Sequence, residues 1–170
     1  MVTTLLQARQ QQSTKADDFM QEIINKVYPE LFRQIDSILS AISLLPGEEN
    51  FSEISRLTGE IRIEMSNIYR MEKEVLFPFI TTLAEENKKS ESCKLFKDTK
   101  IHYTALLKLI TELKSSIKIY GQGQQDGGPL LLNAIIDSLQ VFEHQNVLLQ
   151  VTKDKYLFAQ FKSCSGCKTI

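Results

Sequence analysis

The feature that most limits how this chain can fold is a series of long stretches with helical periodicity and no convincing strand alternation. Apolar residues recur at intervals of three and four, which is typical of helices that bury one face. Breaker segments separate the stretches, such as Leu45-Pro46-Gly47 and the glycine-rich segment 121–128. Pro129 fits the first turn of the last helix. The pattern predicts helices at roughly 15–44, from after Asn50 or Ser52 to 87, at 90–120 and at 129–161.

Short connections between long helices favour antiparallel neighbours, so the sequence predicts an all-α fold, a single up-down-up-down four-helix bundle. The length of 170 residues, of which 42% are hydrophobic, suits one domain with a sizeable core. The bundle would occupy roughly residues 15–161, with a polar N-terminal end and a short C-terminal tail. Pro29 and Pro78 lie inside helical stretches, and each should kink its helix because proline lacks a backbone donor.

Charge and composition exclude several classes of function. With 20 basic and 21 acidic residues the net charge is −1, which predicts no nucleic-acid partner and no anionic membrane partner. No apolar run reaches the roughly 18 residues of a membrane span, and the N-terminus lacks the pattern of a secretory signal. We therefore expect a cytoplasmic protein whose three cysteines are reduced. Two histidines and no glycine-rich phosphate loop give no support to a catalytic triad or to nucleotide chemistry.

The second predicted helix contains a segment whose residue spacing resembles a known metal-binding motif. In the run Ile68-Tyr-Arg-Met-Glu72-Lys-Glu-Val-Leu76-Phe77-Pro78, the spacing resembles the His-x-x-x-Glu-Glu-x-x-Leu-Phe-Pro signature of hemerythrin-like domains. These are four-helix bundles of the HHE cation-binding type, and they include the C-terminal domain of the repair of iron centres family. Ile68 stands at the histidine position of the signature and Glu72 at its carboxylate position. In intact members both side chains reach a di-iron centre, because residues four apart share one helix face.

Three further segments can be aligned with the family in the same way, and the resemblance spans roughly residues 20–158. In Val141-Phe-Glu-His-Gln145-Asn, Val141 stands at the histidine position and Gln145 at the glutamate position. His102 keeps the ligand of the third helix, and Tyr28 stands at the ligand position of the first. Only Glu72 and His102 therefore retain the ligand chemistry that the resemblance implies.

The resemblance leads to three expectations about the former metal site. Ile68 and Val141 should fill core space once held by imidazole and metal. The remnant polar core of Tyr28, Glu72, His102 and Gln145 should converge and form hydrogen bonds. No metal is expected, because two ligands hold iron or zinc poorly. In a rescued site Glu64 would be the third ligand, since Glu64, Ile68 and Glu72 follow one another at four-residue spacing, and Tyr28 would be a possible fourth.

These expectations favour a non-enzymatic binding or scaffold module without a cofactor, acting on an unknown protein partner and with a homodimer left open. The alternative is an iron- or zinc-binding stress-response protein with an incomplete, rearranged site. A second motif is Cys164-Ser-Gly-Cys167, which could serve redox chemistry or zinc binding. Cys93 is the only other cysteine, so one chain cannot close a four-cysteine site. A structurally neutral tail is the simpler interpretation.

Overall fold

The computed structural model describes residues 15–45, 51–82, 89–122 and 129–159, with the side chains at 51, 82, 89–93 and 129 left aside. Over these ranges the chain is helical and contains no strand, which confirms the all-α prediction. Four helices account for nearly all of the described residues. Helix α1 covers 15–42, α2 runs from Phe51 to Thr82, α3 is Lys89–Gln122 and α4 is Pro129–Tyr156.

The helix ends lie close to their predicted positions. α4 begins at Pro129, as predicted, since a proline at the start of a helix loses no internal hydrogen bond. α1 ends at Ile42, and hydrogen bonds of the turn type continue to Leu45. α4 ends at Tyr156, before the predicted 161, where the Leu157 and Phe158 amides both donate to the Lys153 carbonyl. These two hydrogen bonds to one carbonyl satisfy it at the end of the helix and end α4.

Two π-helical segments interrupt the α-helices, Ile23–Val27 in α1 and Glu72–Leu76 in α2. Each ends two residues before a proline, Pro29 or Pro78. The residue just before each proline donates its amide to a carbonyl five residues earlier, from Tyr28 to Ile23 and from Phe77 to Glu72. A widened turn of this kind accommodates a proline ring, which would otherwise clash with the carbonyl four residues earlier.

The four helices share one hydrophobic core. α1 contacts α2 and α4, and α3 contacts the same two helices. Contacts between helices include the Asp36–Arg62 ion pair at 2.7 Å and the Lys114–Glu143 ion pair at 2.6 Å. Among the described residues, no helix is both long enough and apolar enough to cross a membrane. The central core residues include Ile35, Ile42, Leu57, Ile61, Met65, Ile68, Leu106, Ile110, Leu113, Ile117, Ile135, Leu139 and Phe142.

The exposure of individual side chains shows which faces of α2 and α3 point into the core. At the end of the π segment of α2, Val75 is exposed and Leu76 is fully buried. On α3 the buried stripe runs through Thr99, Tyr103 and Leu106. Leu95, His102 and Leu109 are only partly buried, on the flanks of this stripe.

Candidate functional site

One polar side chain from each helix reaches the same point in the core. Tyr28 comes from α1, Glu72 from α2, Tyr103 from α3 and Lys153 from α4, and each is between 0 and 4% exposed. Buried lysine and glutamate are rare unless they are paired. We call these four residues the polar ring.

The polar ring is held by short hydrogen bonds. Lys153 Nζ donates to Glu72 Oε1 at 2.5 Å and also to the hydroxyl of Tyr103. The Tyr28 hydroxyl donates to the second carboxylate oxygen, Glu72 Oε2, at 2.7 Å and lies 2.9 Å from the Tyr103 hydroxyl. Lys153 Nζ also lies 3.5 Å from the Tyr28 hydroxyl. Every polar atom of the four side chains therefore has a partner.

The donors and acceptors can be assigned so that they form a closed circuit. The Tyr28 proton goes to Glu72, so the bond between the two tyrosines is donated by Tyr103 and accepted by Tyr28. The Tyr103 oxygen in turn accepts a proton from Lys153, and Lys153 also donates to Glu72. In this assignment both carboxylate oxygens accept a hydrogen bond. A buried polar network is stable when all its members are satisfied in this way.

Burial and charge act together on the ionisable groups of the ring. Burial raises the pKa of Tyr28 and that of Tyr103 well above the ordinary value, and the negative charge of Glu72 raises both further. Burial lowers the pKa of Lys153, while the Glu72 carboxylate opposes this by favouring the ammonium form. The Lys153 ammonium also lies 4.2 Å from the ring centroid of Tyr103 and 5.8 Å from that of Tyr28, where aromatic faces favour a cation.

Local sequence explains how each side chain reaches the ring. Tyr28 follows the first π segment directly, and Glu72 is the first residue of the second one. Single π-helical turns often lie at functional sites. Lys153 occupies an inward position of α4, four residues after Leu149 and four before Leu157, both buried. This spacing marks an inward position in the sequence, but a lysine by itself does not indicate burial, because lysine is rarely buried without a partner.

The structure brings together two of the four predicted remnant residues, Tyr28 and Glu72. His102 is not among them. It is 34% exposed, and its Nδ1 lies 2.5 Å from Glu64 Oε1 on the flank of the helices. The prediction for His102 is wrong by one residue, because its neighbour Tyr103 takes the inward position. Successive helix residues differ by about 100° in direction.

The predictions for α4 are wrong by one residue as well. Val141 is 55% exposed, and the core position belongs to Phe142. Gln145 does not join the ring; it lines a surface groove beside α1, and its Oε1 has no hydrogen-bond partner among the described residues. Its neighbour Asn146 is buried instead and donates to the Phe142 carbonyl. Ile68, in contrast, is fully buried in α2, as predicted.

The polar ring does not fit the di-iron group that the family resemblance implies. Lys153 Nζ occupies the point on which the oxygens of Glu72, Tyr28 and Tyr103 converge, and a metal ion there would be repelled by the ammonium. The rescue residue Glu64 bonds to His102 rather than facing Glu72. Within the described ranges, no group of three His, Cys, Asp or Glu side chains could hold a metal.

Comparison with known proteins gives no relative from which a function can be transferred. The chain matches no protein-family model, no curated protein and no solved structure. The second predicted motif, Cys164 and Cys167, lies outside the described residues. The polar ring is therefore the candidate site that the structure describes most fully.

Proposed function

We propose that this protein is a hemerythrin-like four-helix bundle that acts without catalysis, as a binding or scaffold module, and whose core is closed by a lysine ammonium rather than by a metal. The observation that carries the proposal is the position of Lys153 Nζ, fully buried and hydrogen-bonded to Glu72 and Tyr103. One polar residue from each helix meets at this point, which is where bundles of this class build their metal sites.

The order of contacts along the helices supports the up-down-up-down arrangement. Tyr28 of α1 contacts Glu72 of α2, and Asp36 of α1 contacts Arg62 of α2. Residues later in α1 therefore contact residues earlier in α2. The same inverse order holds from α3 to α4, where Tyr103 meets Lys153 and Lys114 meets Glu143. Inverse order is what antiparallel neighbours produce.

The buried ring supports a structural role for the core. Oxygen or nitric oxide handling needs an open metal position that a small molecule can reach. The polar atoms of the ring bond to one another, and their side chains are almost completely shielded from solvent. A core of this kind can align four helices, whereas an activity has to be carried by the surface.

The surface between α1 and α4 supports a binding role. A groove of about 410 Å³ runs between these helices and is walled mainly by apolar and small side chains. Gln34, at its edge, has a buried side-chain oxygen with no partner among the described residues. Val141, which lines the groove, is exposed, and α4 exposes several other large apolar side chains. Exposed apolar patches rimmed by polar residues are typical of sites that bind other proteins. The groove is lined by Gln34, Ser37, Ile38, Ala41, Leu131, Ala134, Ile135, Asp137, Ser138 and Val141.

The test is metal analysis of the full chain purified without chelators, combined with thermal unfolding in the presence and absence of chelator. We expect far less than one iron, manganese or zinc per chain and the same melting temperature in both conditions. Stoichiometric metal, or a large loss of stability in chelator, would contradict the proposal. Glu72→Gln then shows whether such a metal depends on the ring.

The alternative, an iron- or zinc-binding stress-response protein, has one observation in its favour, the contact between Glu64 and His102. Both side chains are partly accessible and both are ligand types for zinc and iron. If metal is found, Glu64→Gln and His102→Ala should abolish its binding while Glu72→Gln does not. Loss of metal in Glu72→Gln alone would place the metal in the core instead.

A further inference from the structure

The outward side of α4 carries a second line of apolar residues in addition to its core face. Leu130 is 85% exposed, Val141 is 55%, Leu148 is 56% and Val151 is 57% exposed. These residues are eleven, seven and three positions apart, close to whole numbers of helical turns, and therefore lie along one side of the helix. A helix that is apolar on both sides is normally buried on both sides. The line of exposed residues on this side is called the outer stripe, and it consists of Leu130, Ala134, Asp137, Val141, His144, Leu148, Val151 and Lys155.

We propose that the part of the outer stripe from Asp137 to Lys155 binds the same segment of a second copy of this chain in antiparallel orientation, forming a homodimer. The inference rests on the proposed binding role and names its partner. Spacings of three and four that alternate along the stripe match the a and d positions of a two-helix seam, with Ala134, Val141, Leu148 and Lys155 in one set. The other set contains Leu130, Asp137, His144 and Val151.

The two charged residues of the stripe select one register. With Asp137 opposite the partner's Lys155, the twofold axis repeats the same ion pair at the other end of the contact. Val141 then lies opposite the partner's Val151, and His144 opposite the partner's Leu148. An antiparallel shift by one heptad sets Asp137 against the partner's Leu148 and leaves a desolvated carboxylate without a partner, which is costly. Parallel helices in register would bring Asp137 against Asp137 and Lys155 against Lys155, which is repulsive.

Both charged groups are available for contacts with a second chain. Asp137 has no ion-pair partner among the described residues, and Lys155 makes only a cation–π contact with Tyr156, at 5.1 Å. The nearby charges are engaged within the chain: Glu143 binds Lys114 at 2.6 Å, and Asp154 accepts from Gln150 at 3.2 Å. The complementary charges of the proposed contact are therefore Asp137 of one copy and Lys155 of the other, both within the outer stripe.

Sedimentation velocity of the full chain over a hundredfold concentration range tests the proposal. We expect a reversible monomer–dimer equilibrium in the wild type. Asp137→Lys and Lys155→Asp should each weaken dimerisation at least about tenfold, because like charges then face each other. The double variant D137K/K155D exchanges the charges and should restore the dimer. This rescue is specific to the proposed register.

Two further variants separate the outer stripe from general surface effects. Leu148→Glu should give a monomer with an unchanged helical content, because the side chain is exposed in the monomer. Ile63→Glu, at a similarly exposed apolar residue of α2, should leave the dimer unchanged. A monomeric wild type at the highest concentration, or a dimer that ignores the charge variants, would overturn the inference. Neither result alters the metal analysis, so the failure of this inference is distinguishable from failure of the proposed function.

Discussion

Replacing Lys153 by methionine tests the energetics of the polar ring directly. At the 2.5 Å separation of Lys153 Nζ and Glu72 Oε1, Coulomb's law with an effective dielectric constant of about 20 gives an attraction of roughly 7 kcal/mol. The desolvation of two ions offsets most of this gain. Lys153→Met removes the attraction but leaves Glu72 buried, so the desolvation cost of the carboxylate remains. We expect the free energy of unfolding to fall by about 3–5 kcal/mol.

The partner variant and the double variant complete a thermodynamic cycle. Glu72→Met should be destabilising by a similar amount, because it strands the ammonium. The double variant E72M/K153M removes both charges and should be more stable than either single variant, since methionine fills the space without a desolvation cost. A coupling free energy of several kcal/mol is the quantity to be measured.

Urea unfolding followed by circular dichroism is the assay, with thermal unfolding as a second measure. A loss of about 3–5 kcal/mol should lower the melting temperature by roughly 6–20 °C for a chain of this size. Lys108→Met is the matched control, because Lys108 pairs with Glu112 at 3.6 Å on the exposed surface, where about 0–1 kcal/mol is expected. The reasoning is refuted if Lys153→Met costs as little as the control, or if the two ring substitutions are additive.

Two further predictions concern pH and packing. Because the pKa values of Tyr28 and Tyr103 are raised in the folded state, their contribution to stability is complete below pH 10 and is lost as pH rises above it, by at most about 1.4 kcal/mol per pH unit for each. Ultraviolet titration of phenolate should show these two tyrosines ionising only with unfolding; their ionisation in a still-folded protein would contradict this. Ile68→Ala should cost about 2–5 kcal/mol by opening a cavity, whereas Ile63→Ala, at an exposed position, should stay within about 0.5 kcal/mol in denaturant unfolding. Equal effects would show that Ile68 does not pack as described.

The helices could be predicted from the sequence because their periodicity is strong and their breakers are clear. The start of α4 at Pro129 follows from the same chemistry that places proline in first turns. The π segments could not be predicted in this way, although Pro29 and Pro78 indicated that their helices would deviate from regular geometry. Whether a proline produces a kink or a widened turn depends on the packing around it in the folded protein, and the spacing of apolar residues does not reveal that packing.

Only part of the site was predicted correctly. An alignment to a motif indicates which residue of a helix faces the core less reliably than the spacing of its apolar residues does. Tyr28 and Glu72 meet as predicted, whereas the motif placed His102 and Val141 inward, one residue before Tyr103 and Phe142. Tyr103 begins an apolar series at helical spacing that indicates the true inward face. Lys153 was missed because a lysine is assigned to the surface by default, and only its partner in the folded chain reverses that assignment.

The polar ring should matter more for the uniqueness of the fold than for its stability. An apolar core packs as well as a paired one, but hydrogen bonds from one residue on each helix fix how the four helices align, whereas apolar contacts tolerate sliding. We therefore hypothesise that the quadruple variant Y28F/E72M/Y103F/K153M keeps its helical content while its packing becomes degenerate. Poorly dispersed amide resonances and dye binding to exposed apolar surface would report this. A well-dispersed spectrum with unchanged contacts would show that apolar packing alone sets the alignment, and that the ring is tolerated rather than required.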